Sequence, residues 1–186
     1  MDWIIHADLA TDRDLEAVAK AGMPIIPTAT FLALVVELGQ KVGAEQVQLD
    51  INRMQRHFDL LCQLMHKARK LGIKLLVGTD TGNNSFMPHG ELHAKELEIF
   101  VKHGGYSPME AIVAATRHNA YAVGLEGQVG ELAAGKLADI IVLRKDPLAD
   151  ITVLQGGRNL SWVIKDGKIV DLDPREEMLV FQQAAE

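Results

Sequence analysis

The sequence predicts an α/β fold with a mainly parallel sheet, followed by a small β module. Three short apolar runs, at residues 3–5 (WII), 23–28 (MPIIPT) and 73–77 (IKLLV), alternate with amphipathic stretches of helical spacing. That alternation is typical of βα units. The runs are apolar throughout, as expected for parallel strands that are covered on both faces. After about residue 125, short strand-like runs and turns replace the helical pattern.

Composition sets limits on the class of protein. The 186 residues are 48% hydrophobic and 24% charged, with a formal net charge of -6, the balance of a soluble globular protein. No basic stripe is present that could neutralise phosphates, so we expect no nucleic-acid partner. No apolar run approaches the roughly 18 residues of a membrane span, so we expect no membrane partner. The single cysteine, Cys62, fits a reducing compartment, and a cytoplasmic location is expected.

Helical spacing predicts four helices in the first 125 residues. Asp12 is the expected cap of a helix over residues 13–21 that ends at Gly22. A long helix is expected over residues 45–70, and two shorter ones over 90–103 and 108–115. The long helix has one apolar face, formed by Val47, Ile51, Met54, Phe58, Leu61 and Met65. Ser107 and Pro108 predict the start of the last helix as its cap and first residue.

The carboxy-terminal third predicts a β module. Strands are expected at residues 138–143, 162–165 and 168–170, and a terminal helix at residues 174–186. Asp166 and Gly167 lie between the last two strands and predict a two-residue hairpin turn. Three βα units and this module are too few to close an eight-stranded barrel. Part of a larger fold is therefore expected to lie outside this sequence.

Two polar residues follow apolar runs at the points where strands should end. His6 follows the first run and Asp80 follows the third, separated from it only by Gly78 and Thr79. Side chains at the carboxyl ends of parallel strands converge on one mouth. Histidine nitrogen and aspartate oxygen are both metal ligands, and an aspartate can also take a proton from water. A structural histidine and a turn aspartate fit the same pattern, so spacing alone leaves both interpretations open.

Five segments resemble amidohydrolases of the prolidase and imidazolonepropionase-like branch. In chain order they are IIHADLATDRDLEAVAKAGMPIIPT, LLVGTDTG, PHGELHAKELEIFVKHGGYSPMEAIVAAT, GQVGELAAGKLADIIVLRKDPLADI and WVIKDGKIV. The most specific is Gly-x-Leu-x-x-Gly-Lys-x-Ala-Asp followed by an apolar strand. In that family it marks the return of the chain into a small β-sandwich. The order of the five segments strengthens the resemblance beyond any one of them.

The resemblance implies a fold. Residues 1–125 would form the carboxy-terminal part of a (β/α)8 TIM barrel, with barrel strands 6–8 ending at His6, in MPIIPT and at Asp80. Residues 126–186 would form part of a composite β-sandwich domain with a carboxy-terminal helix. The chain would then be an incomplete fragment of a metal-dependent hydrolase of amide or peptide C–N bonds.

The resemblance also implies a metal site. His6 and Asp80 match metal ligands of the family, and Asp80 also matches its catalytic proton carrier. Zinc is the expected divalent metal, one or two ions in the full-length family, although His and Asp also accept iron and manganese. The family's His-x-His pair is absent, and its other ligands would lie upstream of residue 1. We therefore expect this chain alone to be inactive, and to need the missing N-terminal half or a homo-oligomer.

Other polar residues lie in the loop after the third run. His89 resembles a substrate-binding position of the family, whereas His93 is expected to lie on the surface, because the spacing does not match His-Glu-x-x-His. Thr81, Gly82 and Asn83 would either shape the mouth of the site or only form the turn. Four further histidines lie in or near predicted helices, and we expect them to be solvated or to cap helix ends. They are His57, His66, His103 and His118.

The resemblance leaves the substrate open. It implies a small-molecule or dipeptide substrate, as for a Xaa-Pro dipeptidase, an N-acyl amino acid hydrolase, or an enzyme of cyclic amides. Two alternatives come from other classes of protein. The chain would then be either a non-catalytic half-barrel that binds a partner chain through open strand edges, or a small-molecule binding module that uses residues 80–93.

Overall fold

The computed structural model describes residues 2–42, 45–81 and 92–171. The first part alternates strands and helices: β1 (Ile4–Ile5), α1 (Asp12–Ala21), β2 (Ile25–Ile26), α2 (Ala29–Val42), α3 (Glu45–Lys70) and α4 (Lys95–Lys102). The chain continues through α5 (Pro108–Val113), a π-helical turn (Ala114–His118) and α6 (Asn119–Ala122). No helix within these described ranges has the length and apolar character needed to cross a bilayer.

β2 is the centre of a narrow parallel ribbon. Its residues Ile25 and Ile26 pair in parallel with Ile4 and Ile5 of β1. On its other edge Ile25 forms a parallel bridge to Leu75. The Ile25 N–H donates to the Lys74 carbonyl oxygen at 3.0 Å, and the Leu76 N–H donates to the Ile25 carbonyl oxygen at 2.8 Å. The predicted βα alternation is therefore confirmed. The third expected strand, residues 73–77, is reduced to this single bridge.

The helices cover one face of the ribbon with an apolar core. Phe58, Leu61 and Met65 of α3 are buried, as the predicted apolar face requires, and they pack with Ile25 and Phe100. Ile51 is buried too and Met54 is half-buried, while the side chain of Val47 lies outside the described residues. At the edge strand β1, Ile5 is 50% exposed.

Helix ends follow local hydrogen bonding. Ser107 caps α5 with Pro108 at its first position, as predicted, and Glu110 completes a capping box. The cap predicted for α1 was wrong by one residue. Thr11 is the cap, because its hydroxyl accepts from the Asp14 backbone N–H while the Asp14 carboxylate accepts from the Thr11 backbone N–H.

Two helical regions differ from the prediction. α2 was not predicted, because its first eight residues, ATFLALVV, are almost uniformly apolar and show no helical period. The helix predicted over residues 90–103 is observed as Lys95–Lys102, and residues 90 and 91 lie outside the described residues. The helix predicted over 108–115 continues through the π-helical turn to Ala122.

The β module is a three-stranded antiparallel sheet. It comprises β3 (Ile140–Leu143), β4 (Leu160–Lys165) and β5 (Lys168–Val170), with a 3₁₀ helix at Ile151–Leu154 between the first two strands. Asp166 and Gly167 have φ of 51° and 75°, so the predicted hairpin turn is confirmed. The terminal helix predicted at residues 174–186 lies outside the described residues.

The glycine motif before β3 joins the module to the helices. A Cβ at Gly130 would lie 2.8 Å from the Thr116 carbonyl oxygen and 2.8 Å from the Arg117 Cα, so only glycine fits against that backbone. At the far end of the motif the Asp139 carboxylate accepts from Lys165 and from the backbone N–H of Asp166. The motif therefore binds the helical part at one end and the β4–β5 hairpin at the other.

Candidate active site

Three polar residues lie at the carboxyl ends of the three parallel segments. His6 directly follows β1, Thr28 lies two residues beyond β2, and Asp80 ends the segment that contains Leu75. All three have left-handed backbones, with φ of 70°, 54° and 54°. Such angles are uncommon outside glycine, and most of all for a β-branched threonine. Strained backbones of this kind collect at functional sites.

A cavity of about 110 Å³ is shared by these strand ends. His6, Thr28 and Asp80 border it together with Asp8, and Phe31 contributes an apolar wall. His6 and Asp80 are exposed, whereas Thr28 is only 6% exposed. Both sequence-predicted metal ligands therefore border one small cavity, and the ribbon brings them together from positions 74 residues apart.

The His6 ring is held by Thr28. Its Nδ1 lies 2.5 Å from the Thr28 hydroxyl oxygen, and that hydroxyl donates to the Pro27 carbonyl oxygen at 2.7 Å. This arrangement leaves Nε2 as the ring nitrogen without a hydrogen bond to Thr28. Sequence reasoning missed Thr28, although its place as a polar residue closing the second apolar run was a usable signal.

A second histidine fixes the loop after β1. The Nδ1 atom of His57, on α3, lies 2.9 Å from Asp8 Oδ2, and both side chains are about a quarter exposed, at 27% and 26%. This pair ties residues 6–10 to the long helix. The expectation of a solvated or capping His57 was wrong, because the loop folds back onto α3 and brings Asp8 to it.

The other histidines of the described helices lie outside the cavity in different environments. His103 follows α4 as its cap, and its ring packs edge-on against Phe58 with centroids 5.1 Å apart. Burial, with smaller contributions from Lys74 and Arg117, lowers the pKa of His118. His66 is exposed on α3.

Thr81 contacts its neighbour across Asp80. The hydroxyl oxygens of Thr79 and Thr81 are 2.9 Å apart, so the two residues that flank Asp80 are joined by a hydrogen bond. Gly82, Asn83 and His89 lie outside the described residues, so the predicted substrate contact of His89 stays a prediction.

His93 borders a larger and mostly apolar cavity of about 720 Å³. Leu97, Ile141 and Leu154 line other parts of that cavity, so it lies between α4 and the β module. His93 is exposed, as expected.

The cavity at the strand ends fits a divalent cation by donor type but not by number. A neutral imidazole nitrogen and a carboxylate suit zinc, iron or manganese. Catalytic zinc takes three protein ligands and a water. Across residues 2–42, 45–81 and 92–171, no three His, Cys, Asp or Glu side chains form a group that could hold a metal ion. A metal ion in this cavity would therefore need ligands besides His6 and Asp80.

The family of the chain follows from comparison with known proteins. The model of the amidohydrolase family matches residues 4–170. The chain belongs to the amidohydrolase family. The resemblance in the sequence is thereby confirmed, and with it an α/β fold of the amidohydrolase type.

Individual amidohydrolases extend the comparison. Ochratoxinase of Aspergillus niger is 30% identical over 165 residues, which cover 88% of this chain and 32% of ochratoxinase. Imidazolonepropionase of Rubrobacter xylanophilus is 46% identical over 66 residues, 36% of this chain and 16% of that enzyme. A crystal structure of a Xaa-Pro dipeptidase with methionine bound in its active site matches with a TM-score of 0.75 at 26% identity, over 92% of this chain and 40% of the dipeptidase. The chain spans about a third of the length of ochratoxinase.

Proposed function

We propose that this chain is the carboxy-terminal part of a metal-dependent amidohydrolase that hydrolyses amide or peptide C–N bonds. The observation that carries the proposal is the position of His6 and Asp80. They follow different parallel strand segments and border the same cavity of about 110 Å³. Membership of the amidohydrolase family supports hydrolysis as the reaction.

The proposed architecture assigns the parallel ribbon to barrel strands 6–8. In that assignment residues 1–125 are part of a TIM barrel, and residues 126–186 are part of a composite β-sandwich. The half-exposed Ile5 supports it, because parallel sheets are normally covered on both faces. Trp162 and Ile169, which are 56% and 68% exposed, give the β module a similar uncovered apolar surface.

His6 and Asp80 are the proposed metal ligands. His6 would supply a neutral nitrogen and Asp80 a carboxylate oxygen. A divalent cation held there, zinc in this proposal, would lower the pKa of a coordinated water and polarise a carbonyl group. The Asp80 carboxylate is the proposed base that takes the proton of the attacking water and passes it to the leaving amine. Its exposure leaves it open to the substrate.

The remaining ligands are proposed to come from outside the described residues. The first barrel strands, in the same chain or in another chain, would complete the cavity. A second copy of this chain is the other proposed source. Either source would cover the exposed side chain of Ile5.

The proposed substrates are dipeptides and N-acyl amino acids. The match to a Xaa-Pro dipeptidase supports a dipeptide substrate. His89 is the proposed substrate contact, because it lies in the segment that resembles a pocket-lining segment of the family.

Metal retention of the 186-residue chain tests the ligands. The wild type, His6→Ala, Asp80→Asn and the control His66→Ala are loaded with zinc with and without the completing N-terminal half, dialysed, and measured by elemental analysis beside light scattering. In the presence of that half we expect zinc on the wild type and on His66→Ala, and a loss to background in the other two variants. Equal zinc on all four proteins would place the metal elsewhere and contradict the proposal.

Turnover is measured on the same samples with Xaa-Pro dipeptides and N-acyl amino acids. We expect little turnover from the chain alone, and turnover that a chelator abolishes when the completing barrel half is added. A tight dimer without zinc and without turnover would instead favour the non-catalytic half-barrel. Ligand binding that a chelator leaves unchanged would favour the small-molecule binding module.

A further inference from the structure

Thr28 links the end of β2 to the His6 ring by a short chain of hydrogen bonds. The Thr28 hydroxyl oxygen lies 2.5 Å from His6 Nδ1 and 2.7 Å from the Pro27 carbonyl oxygen. A carbonyl oxygen can only accept, so the Thr28 hydroxyl donates its proton to Pro27. The hydroxyl oxygen then has only lone pairs left for the histidine.

That arrangement decides which ring nitrogen of His6 carries the proton. With its own proton on Pro27, Thr28 can only accept from His6, so Nδ1 must be protonated. In the neutral ring Nε2 then has the free lone pair. The reverse arrangement, with Thr28 donating to Nδ1, would leave two oxygen acceptors facing each other at 2.7 Å.

We propose that Thr28 is a positioning residue that holds His6 in the Nδ1–H tautomer and so leaves Nε2 ready to bind a metal. The inference rests on the proposed function, in which His6 is a metal ligand. Metal-binding histidines usually donate their other ring N–H to a carboxylate, a backbone carbonyl or water. Here a side-chain hydroxyl takes that place and passes the hydrogen bond on to a backbone carbonyl.

The surroundings keep Thr28 in place. It is buried and has a left-handed backbone, φ 54°, which a β-branched residue adopts only when its neighbours enforce it. The next two residues supply that constraint, because the backbone N–H groups of Ala29 and Thr30 donate to the buried Glu96 carboxylate at 2.9 and 2.7 Å. Glu96 therefore anchors the segment that presents the Thr28 hydroxyl.

Two substitutions separate the hydroxyl from the shape of the side chain. Thr28→Val keeps the β-branched shape and removes the hydroxyl. Thr28→Ser keeps the hydroxyl and removes the methyl group. If the side chain of Thr28 only filled space, Thr28→Val should disturb the His6 ring less than Thr28→Ser does. A positioning role of the hydroxyl predicts the opposite.

The deciding measurement is nitrogen NMR of the histidine rings in the metal-free 186-residue chain at a pH of about 8.5, where an ordinary imidazole is neutral. His6→Gln identifies the His6 signals by their loss. We expect Nδ1 to be protonated in the wild type and in Thr28→Ser, and the proton to shift towards Nε2 in Thr28→Val. An unprotonated Nδ1 in the wild type overturns the proposal, even if Thr28→Val fails to fold.

Zinc affinity of the chain combined with the completing N-terminal half, measured by competition with a weak chelating dye, gives the second readout. Loss of an outer-shell partner costs about 10–100-fold in metal affinity, so we expect a loss of that size in Thr28→Val and about threefold or less in Thr28→Ser. Unchanged affinity and tautomer in Thr28→Val would refute the role of Thr28 while leaving the zinc site intact. The expected tautomers without any zinc binding would keep the role of Thr28 in ring orientation and refute the proposed function.

Discussion

The Glu96 carboxylate holds the start of α2 through Thr30. One oxygen, Oε2, accepts from both the backbone N–H and the hydroxyl of Thr30, each at 2.7 Å, and the other accepts from the Ala29 N–H at 2.9 Å. Glu96 is fully buried. These bonds satisfy donors that a helix start leaves without partners, and they connect α4 to the segment after β2.

Glu96 is expected to make stability depend on pH near neutrality. Burial raises its pKa to about 7 from 4.5, although the hydrogen bonds from Thr30 and Ala29 act in the opposite direction. The folded chain then binds this proton more tightly than the unfolded chain. The free energy of unfolding should therefore fall as pH rises from about 4.5 to about 7, on the order of 2–3 kcal/mol from this group.

Thermal unfolding at a series of pH values checks this effect of Glu96. Glu96→Gln should remove the slope, and it should also cost about 1–3 kcal/mol at low pH because its amide cannot accept all three donors. Glu16→Gln, an exposed change on α1, is the control and should keep the wild-type slope. The same slope in Glu96→Gln and the wild type would contradict the assignment.

Glu98 is expected to make stability depend on pH in the acid range, between about pH 2 and pH 4.5. Burial opposes its ionisation, but hydrogen bonds from Lys102, Gln155 and Lys95 outweigh burial and lower its pKa to about 2 from 4.5. Its stabilising contribution is thus present above pH 4.5 and is lost as pH falls towards 2. We expect Glu98→Gln to be less stable than the wild type at pH 7, by about 1–2 kcal/mol after solvent screening, and to approach it near pH 2.

Acid unfolding of Glu98→Gln beside the exposed control Glu126→Gln measures this effect. Gln155 donates to Glu98 at 2.7 Å from the end of the 3₁₀ helix, so the pair joins α4 to the β module. A difference from the wild type that stays constant from pH 7 to pH 2 would argue against ionisation as its cause.

The close contact between Gly78 and Ile26 is expected to require a glycine at position 78. A Cβ at Gly78 would lie 2.6 Å from the Ile26 Cγ2 atom, and the backbone φ of Gly78 is not left-handed. Gly78→Ala should therefore destabilise the chain by steric overlap, about 1–3 kcal/mol. Ile26→Ala removes the opposing methyl group, so the double variant should recover about 1 kcal/mol or more relative to additivity.

Unfolding of the four proteins of this double-mutant cycle measures the coupling. Simple additivity of Gly78→Ala and Ile26→Ala would show that the glycine is needed for another reason. The contact lies two residues before Asp80, so zinc retention of the same variants also reports whether the overlap reaches the strand end.

The strand ends could be predicted because their signals are local. Each apolar run ends in a polar residue, and parallel packing brings such ends to one edge. Ser107 with Pro108, and Asp166 with Gly167, likewise depend on neighbours only a few residues away. These features, and the family, were predicted correctly from the sequence.

The supporting contacts could not be predicted because they join distant residues. Glu96 lies 66 residues from Thr30 and on a helix where neighbouring positions are also buried, so nothing local distinguishes its role. The His57–Asp8 pair spans 49 residues and depends on how one loop folds back. Helix α2 was not predicted for a different reason, because a uniformly apolar run shows no helical periodicity of apolar and polar residues.

Asn119 is expected to stabilise the backbone that leads to Asp80. Its Oδ1 accepts from the Val77 N–H at 2.9 Å and its Nδ2 donates to the Val77 carbonyl oxygen at 2.6 Å, so it pairs with Val77 as a neighbouring strand would. Asn119→Ala leaves both groups without this partner and should cost about 1–3 kcal/mol. Hydrogen exchange of the Val77 amide should become faster.

Asn119→Asp offers a sharper version of the same test. A carboxylate can still accept from the Val77 N–H, but it repels the carbonyl oxygen, whereas a protonated carboxyl group can accept and donate as asparagine does. We therefore expect Asn119→Asp to lose more stability relative to the wild type at pH 8 than at pH 4, as measured by thermal unfolding. Equal losses at both pH values would mean that the donor half of the pair contributes nothing to holding Val77.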